Sequence, residues 1–147
     1  MSLTEQLKSS RQIFLDTAPV IYFVENHPSY APIMQPIFNR LDNGDLIAVI
    51  SPITLAECLV LPYKLNKPDI TKIFTELLVN SQSVLFAPLD EIIADLAAEL
   101  RARYNLALAD AFQIAVAIHT HCDAFLTNDG ELRRVTEIPV FVISETL

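Results

Sequence analysis

An α/β fold with a mainly parallel sheet is predicted by three observations. Apolar runs of strand length alternate with segments of helical period along the chain. The 147 residues suffice for one domain with a real core, and 52% are hydrophobic against 19% charged, which excludes a disordered chain. No repeat, low-complexity segment or linker interrupts the order.

QIFLD (12–16) reads as the first buried strand. In TAPVIYFVEN, Thr17 suits an N-cap, and Pro19 is tolerated in a helix's first turn. PIMQPIFNRL (32–41) is helical in pattern; Pro36 should kink the helix or delay its start, and Asn43-Gly44 marks its stop. LIAVI (46–50) is a buried strand. Ser51 then suits an N-cap with Pro52 at the first helical position, for a helix reaching about Leu61. Residues 68–79 form another helix and SVLFA (83–87) a strand. Asp90 caps EIIADLAAELRARY, where Ile93, Leu96, Ala97, Leu100 and Tyr104 recur at helical spacing and Arg101 and Arg103 suit the negative end. A helix from about Leu108 to His119 follows, then strands at 123–127 and 139–143. Lying between a strand and another helix, segment 90–104 must cross the sheet obliquely.

Several chemistries drop out. The richest apolar stretch, LALADAFQIAVAI (106–118), is broken by Asp110 and Gln113 and is shorter than the ~20 residues that span a bilayer. MSLTEQLKSSR at the start lacks a signal peptide's apolar core, so a soluble, cytoplasmic protein with no membrane partner is expected. Cys58 and Cys122 form no CxxC pair and read as small buried hydrophobes. His119 and His121 lack the spacing and cysteine partners of a zinc site, and His27, before Pro28, reads as a loop residue. With Gly44 and Gly130 as the only glycines there is no P-loop or dinucleotide fingerprint, and no GxSxG elbow occurs. FLDTAP is similar to the phosphoryl-transfer aspartate of haloacid-dehalogenase-like hydrolases, but Ala18 stands where those need a second Asp. The net charge of −8 argues against broad binding to a polyanion. A nucleic-acid substrate therefore requires a metal that neutralises an acidic site, or a basic partner surface.

Four acids converge by chain direction alone. Ligands of parallel sheets bind outside the carboxyl ends of the strands. Asp16 ends the first strand and Asp129 lies just past the strand near 124–126. Glu57 is between one and two turns into the helix after LIAVI. Asp110 opens a helix that must run against the strand it leads into, so it starts at the same edge. Glu57 in ITLAECLVL and Asp110 in LALADAFQI sit in apolar settings, where an unpaired carboxylate is costly. Singly, each has a bland reading: a cap for Asp16, a turn for Asp129 in Asn128-Asp129-Gly130, the helix dipole for Asp110, a salt bridge or solvent for Glu57. Together, four carboxylates on one edge repel and call for a cation, and hard oxygen ligands suit Mg²⁺ or Mn²⁺.

FLDTAPVIYFVE, SPITLAECLVLP, LALADAFQIAVAI and CDAFLTNDGEL, spanning residues 14–132, resemble a PIN domain, and within that superfamily a VapC-type toxin nuclease. The resemblance implies a three-layer α/β/α sandwich with a five-stranded, mainly parallel sheet over 11–147, preceded by an N-terminal extension over 1–10. It implies a metal-dependent endoribonuclease, the toxin of a toxin–antitoxin pair, with RNA as substrate and a cognate antitoxin as partner. Asp16, Glu57, Asp110 and Asp129 match the family's acidic quartet; Thr17 and Thr127 match polar positions beside it, and Asn128 precedes the last acid. The quartet would hold one or two Mg²⁺ or Mn²⁺ ions, with Asp16 and Asp110 as principal ligands and Glu57 or Asp129 accepting a proton from the attacking water. Arg101, Arg103, Arg133, Arg134 and Lys64 are candidate phosphate contacts, with solvated surface charge as the competing role. A partner-binding module without turnover and a single-stranded DNA nuclease are the alternatives. Ile21, Phe23, Ile33, Met34 and Phe38 exceed what one small core needs unless they all pack inside, which suggests a homodimer.

Overall fold

In the computed structural model, which describes residues 1–146, the five apolar runs become strands and face both ways. They are β1 (Gln12–Leu15), β2 (Ile47–Ile50), β3 (Val84–Phe86), β4 (Ala124–Thr127) and β5 (Val140–Val142). All pairings are parallel, in the order β3-β2-β1-β4-β5. Side chains alternate across a strand, so Ile13 and Leu15 enter one core while Phe14 enters the other. Phe14 and Phe125 stack with ring centroids 5.1 Å apart. A sheet buried on both faces needs runs without polar alternation, as these sequences supply.

Helices cover both faces. Leading from β1 to β2 are α2 (Thr17–Val24) and α3 (Ala31–Asp42), and from β2 to β3, α4 (Pro52–Lys64) and α5 (Pro68–Val79). Their buried residues, among them Val20, Met34, Phe38, Cys58, Phe74 and Leu78, share the cluster of Ile13 and Leu15. On the opposite face lie α6 (Glu91–Tyr104) and α7 (Leu108–His119), with Phe14, Val49 and Phe125. Helix α6 packs chiefly on α7 rather than on the strands, which is how two consecutive helices fit between two parallel strands. The helix C-ends rarely use glycine. Asn26, Asn66, Asn105 and His121 take the left-handed backbone that ends α2, α4, α6 and α7, and Gly44 does so after α3.

Two helix bounds are corrected. Pro36 lies inside α3 without delaying it, since the helix begins at Ala31, and α4 runs through Pro62 to Lys64, beyond Leu61. Residues 1–10 contain a short helix, α1 (Leu3–Gln6), whose Leu3 and following Leu7 enter the core. The Arg40 guanidinium ties this segment down by donating to the carbonyls of Leu7 and Ser10. Met34 and Phe38 are buried, and Ile21, Phe23 and Ile33 are partly buried against the same core. Exposed apolar side chains include a group on and after α4: Val60, Leu61, Tyr63 and Leu65. No helix among the described residues is long and apolar enough to cross a membrane.

Candidate active site

The strand order reverses at β1. From it the chain steps outward to β2 and β3, then returns to β4 on the other side. Such a switch point opens a crevice at the carboxyl ends of the two strands that flank it. Asp16 stands there, one residue past β1, its N–H bonded to the Leu126 carbonyl of β4 at 2.9 Å. Thr127, fully buried at the end of β4, donates its hydroxyl to Asp16 Oδ2 at 2.8 Å. The same hydroxyl oxygen accepts the Asp129 N–H at 3.1 Å, and Asp129 Oδ1 caps the following 3₁₀ turn by accepting the Glu131 N–H at 3.0 Å.

Glu57 joins from α4. Its Oε1 accepts the Thr17 hydroxyl at 2.7 Å, while Asp16 Oδ1 accepts the Thr17 N–H at 2.9 Å. Asp16, not Thr17, is the N-cap of α2, so the threonine hydroxyl is released to reach across to α4. The apolar setting of Glu57 suggested a buried carboxylate, but the residue is exposed; its helix turns it outward to the crevice while Cys58 turns into the core. Asp110 lies in the first turn of α7 and accepts no hydrogen bond from a described residue, although it is half-buried.

Electrostatics couple the four. Burial raises the pKa of Asp16, opposed by the Thr127 and Thr17 hydrogen bonds and reinforced by Glu57 and Asp129. Burial pushes the Asp110 carboxyl up to about 6, with Asp16, Asp129, Glu57 and Glu131 adding to it. Desolvation and neighbouring negative charge both penalise the ionised form. Among the described residues none of the four acids has a salt-bridge partner. Nor do three or more His, Cys, Asp or Glu side chains among those residues form a ready metal cage. The donors nonetheless fit a hard divalent cation: they are carboxylate oxygens, mutually repelling, with Asp110 uncommitted.

The cations of the sequence reading are spread around the fold. Arg101 donates to the Leu106 carbonyl, Arg103 to Glu99 and Glu137, and Arg133 pairs with Glu145 at 2.7 Å. Arg134 donates to the Glu131 carbonyl just past Asp129, and Lys64 ends α4, away from its first turn. Both ends of the Asn128 amide are engaged: Nδ2 donates to the Tyr22 hydroxyl and Oδ1 accepts the Ser144 N–H, each at 2.9 Å. His27 Nδ1 accepts the N–H groups of Ser29 and Tyr30 in a turn. Cys58 and Cys122 are free, and burial pushes their thiols up to about 12 and about 11.

One part of the site was missed by sequence reasoning. Ser51, Thr54 and Gln113 form a buried polar set beside the crevice. The only signal was Gln113 as an interruption of an apolar stretch, and its partners lie 62 and 59 residues away.

Residues 13–138, which hold all four acids, match the PIN domain family. Solved structures share the fold at low identity. A chain of the DNA-bound VapBC complex from Salmonella typhimurium is 20% identical, with TM-score 0.70, covering 90% of this chain and 98% of that one. A chain of VapBC2 from Rickettsia felis, bound to a promoter DNA fragment, is 18% identical with TM-score 0.68, over 89% and 98% of the two chains. VapC20 of Mycobacterium tuberculosis, described as a toxin that cleaves the sarcin–ricin loop, is 16% identical with TM-score 0.65, over 86% and 98%. No curated protein matches the sequence.

Proposed function

The chain belongs to the PIN domain family, and from that premise we propose that it is a divalent-metal-dependent endoribonuclease, the toxin of a toxin–antitoxin pair acting in the cytoplasm. The observation that carries this reading is the set of Asp16, Glu57, Asp110 and Asp129 around one crevice with no cationic partner among the described residues. Repelling carboxylates that no protein cation neutralises are stabilised by a metal ion.

Asp16 and Asp110 are the principal ligands for Mg²⁺ or Mn²⁺, with Glu57 and Asp129 completing the set. A bound ion supplies charge neutralisation at the phosphate and acidifies a water. The protein's own groups do the rest. Thr127 and Thr17 fix the Asp16 carboxylate by one hydrogen bond to each oxygen, which selects its orientation. Thr17 holds one oxygen of Glu57, leaving the other to receive a proton. Arg134, close to Asp129 in sequence and in no salt bridge among the described residues, is the candidate phosphate contact, with Lys64, Arg101, Arg103 and Arg133 as further ones. Asn128 positions the Thr127–Asp129 segment. A cognate antitoxin and a second copy of the chain are the expected protein partners, and the exposed apolar residues of α4 support such contacts.

The test is cleavage of an RNA and a matched single-stranded DNA with Mg²⁺, Mn²⁺ or EDTA. RNA is cut with either ion and spared in EDTA, and Asp110→Asn falls to background. Full activity of Asp110→Asn would sink the assignment; equal cutting of DNA would replace the substrate.

A further inference from the structure

Four polar side chains are fully buried among the described residues, Ser51, Thr54, Gln113 and Thr127, and all stand at the carboxyl edge of the sheet. Thr127 serves Asp16. The other three form a closed set. Ser51 Oγ donates to Gln113 Oε1, and Gln113 Nε2 donates to Thr54 Oγ1 at 2.7 Å. Thr54 Oγ1 also accepts the Ser51 N–H at 3.3 Å, and Ser51 Oγ accepts the Ile53 N–H at 3.1 Å.

The start of α4 does not require Gln113. Ser51 and Thr54 already make a reciprocal capping box, which serves the helix's free N–H groups. Gln113 comes from α7, on the other face of the sheet, where Ala111, Ile114, Ala115, Val116 and Ala117 around it are all buried and apolar. An apolar residue would continue that surface without the cost of desolvating an amide. What the amide adds is a hydrogen bond at the place, beyond the strand ends, where α4 and α7 come together.

The bond sits in register with the acids. Thr54 is three residues before Glu57 on α4, and Gln113 is three after Asp110 on α7; residues three apart share a helix face. A single hydrogen bond thus joins the turns adjacent to two carboxylates that reach the crevice from opposite faces. Resting on the metal-site reading above, we propose that Gln113 is a positioning residue that fixes the separation of Asp110 and Glu57 and so sets the affinity for the divalent ion.

The experiment is Mn²⁺ titration by calorimetry of the wild type, Gln113→Leu, Gln113→Asn and Thr54→Val, each at a temperature where circular dichroism shows it folded. The Mn²⁺ Kd is expected to rise roughly tenfold in both Gln113 variants, the size usual for groups that orient ligands from behind. Asn keeps the amide but loses the reach. Thr54→Val, which keeps the shape and removes one hydroxyl, should weaken binding by less. An unchanged Kd in a folded Gln113 variant overturns the proposal and leaves a cross-link that serves stability alone. Should the Gln113 variants fail to fold, an unchanged Kd in Thr54→Val overturns it. A wild type that binds no Mn²⁺ overturns the metal reading and this proposal with it, a result distinct from a wild type that binds and variants that bind equally.

Discussion

Thr127 Oγ1 donates to Asp16 Oδ2 at 2.8 Å and accepts the Asp129 N–H at 3.1 Å, so one buried hydroxyl joins the first and last acids of the crevice. Its bond to Asp16 favours the ionised carboxylate against the burial that raises its pKa. Thr127→Val keeps the shape and removes both bonds. The Asp16 carboxyl should then titrate higher, and stability should fall by about 1–2 kcal/mol, the cost of buried hydrogen-bond partners left unpaired. Thr127→Ser should restore both. NMR titration of the aspartate carboxyls and urea unfolding read the two effects; an Asp16 that titrates identically in Thr127→Val would contradict this role.

The acids should cost the metal-free protein stability at neutral pH. Asp110 has a folded pKa of about 6 against an ordinary 3.8. Below the ordinary value both folded and unfolded chains hold the proton and nothing is lost. As pH rises toward 6 the unfolded chain ionises first, binds fewer protons than the folded one, and stability falls. Above the folded value the loss is complete. A shift of this size corresponds to nearly 3 kcal/mol at full burial, and the half-exposed position reduces it to roughly 1 kcal/mol. In EDTA at pH 7, Asp110→Asn should therefore be more stable than the wild type by about that amount, while near pH 4 the two converge. A destabilised Asp110→Asn at pH 7 would show that the carboxylate holds the fold together.

The convergence of the acids was legible because it follows from chain direction. Asp110 opens a helix that leads into a parallel strand, so its edge is fixed whatever its neighbours do, and it lies in the first turn of α7 as expected. Details that depend on which element packs against which were not legible. Glu57 and Cys58 are adjacent in one apolar string, and the packing of α4 on α5, α2 and the sheet decides that Cys58 turns inward and Glu57 outward. Asp16 and Thr17 are both good caps, and the choice between them rests on Glu57, forty residues away, claiming the threonine hydroxyl. Gln113 looked like a blemish in an apolar helix because its partners, at the start of α4, lie 62 and 59 residues away.

The segment 1–10 should behave as part of the core rather than as a tail. Leu7 is fully buried, and Arg40 donates to the Leu7 and Ser10 carbonyls at 3.0 and 2.9 Å. Truncating a buried leucine costs roughly 2–5 kcal/mol, a large share of a small domain's stability. Leu7→Ala should lower the urea midpoint accordingly without changing Mn²⁺ affinity, since the residue lies in the core cluster and none of the acids does. A variant as stable as the wild type would mean that α1 is not docked in solution.

The ion and the proton must compete for Asp110. The metal takes the ionised carboxylate, while burial and the charges of Asp16, Asp129, Glu57 and Glu131 hold the proton on up to a pKa of about 6. At pH 5.5 the group is mostly protonated, so each Mn²⁺ that binds should release roughly three quarters of a proton from it. By pH 7.5 that release should be close to zero, and affinity should have risen and levelled off. Calorimetry in two buffers of unlike ionisation enthalpy measures the count directly, as the difference in observed heat. Asp16, also raised by burial, adds to the release in the same direction. Asp110→Asn removes its share and should flatten the pH dependence along with weakening the binding. Heats that do not depend on the buffer at pH 5.5 would mean that the ion enters without displacing a proton, and so that Asp110 is either already ionised there or not its ligand.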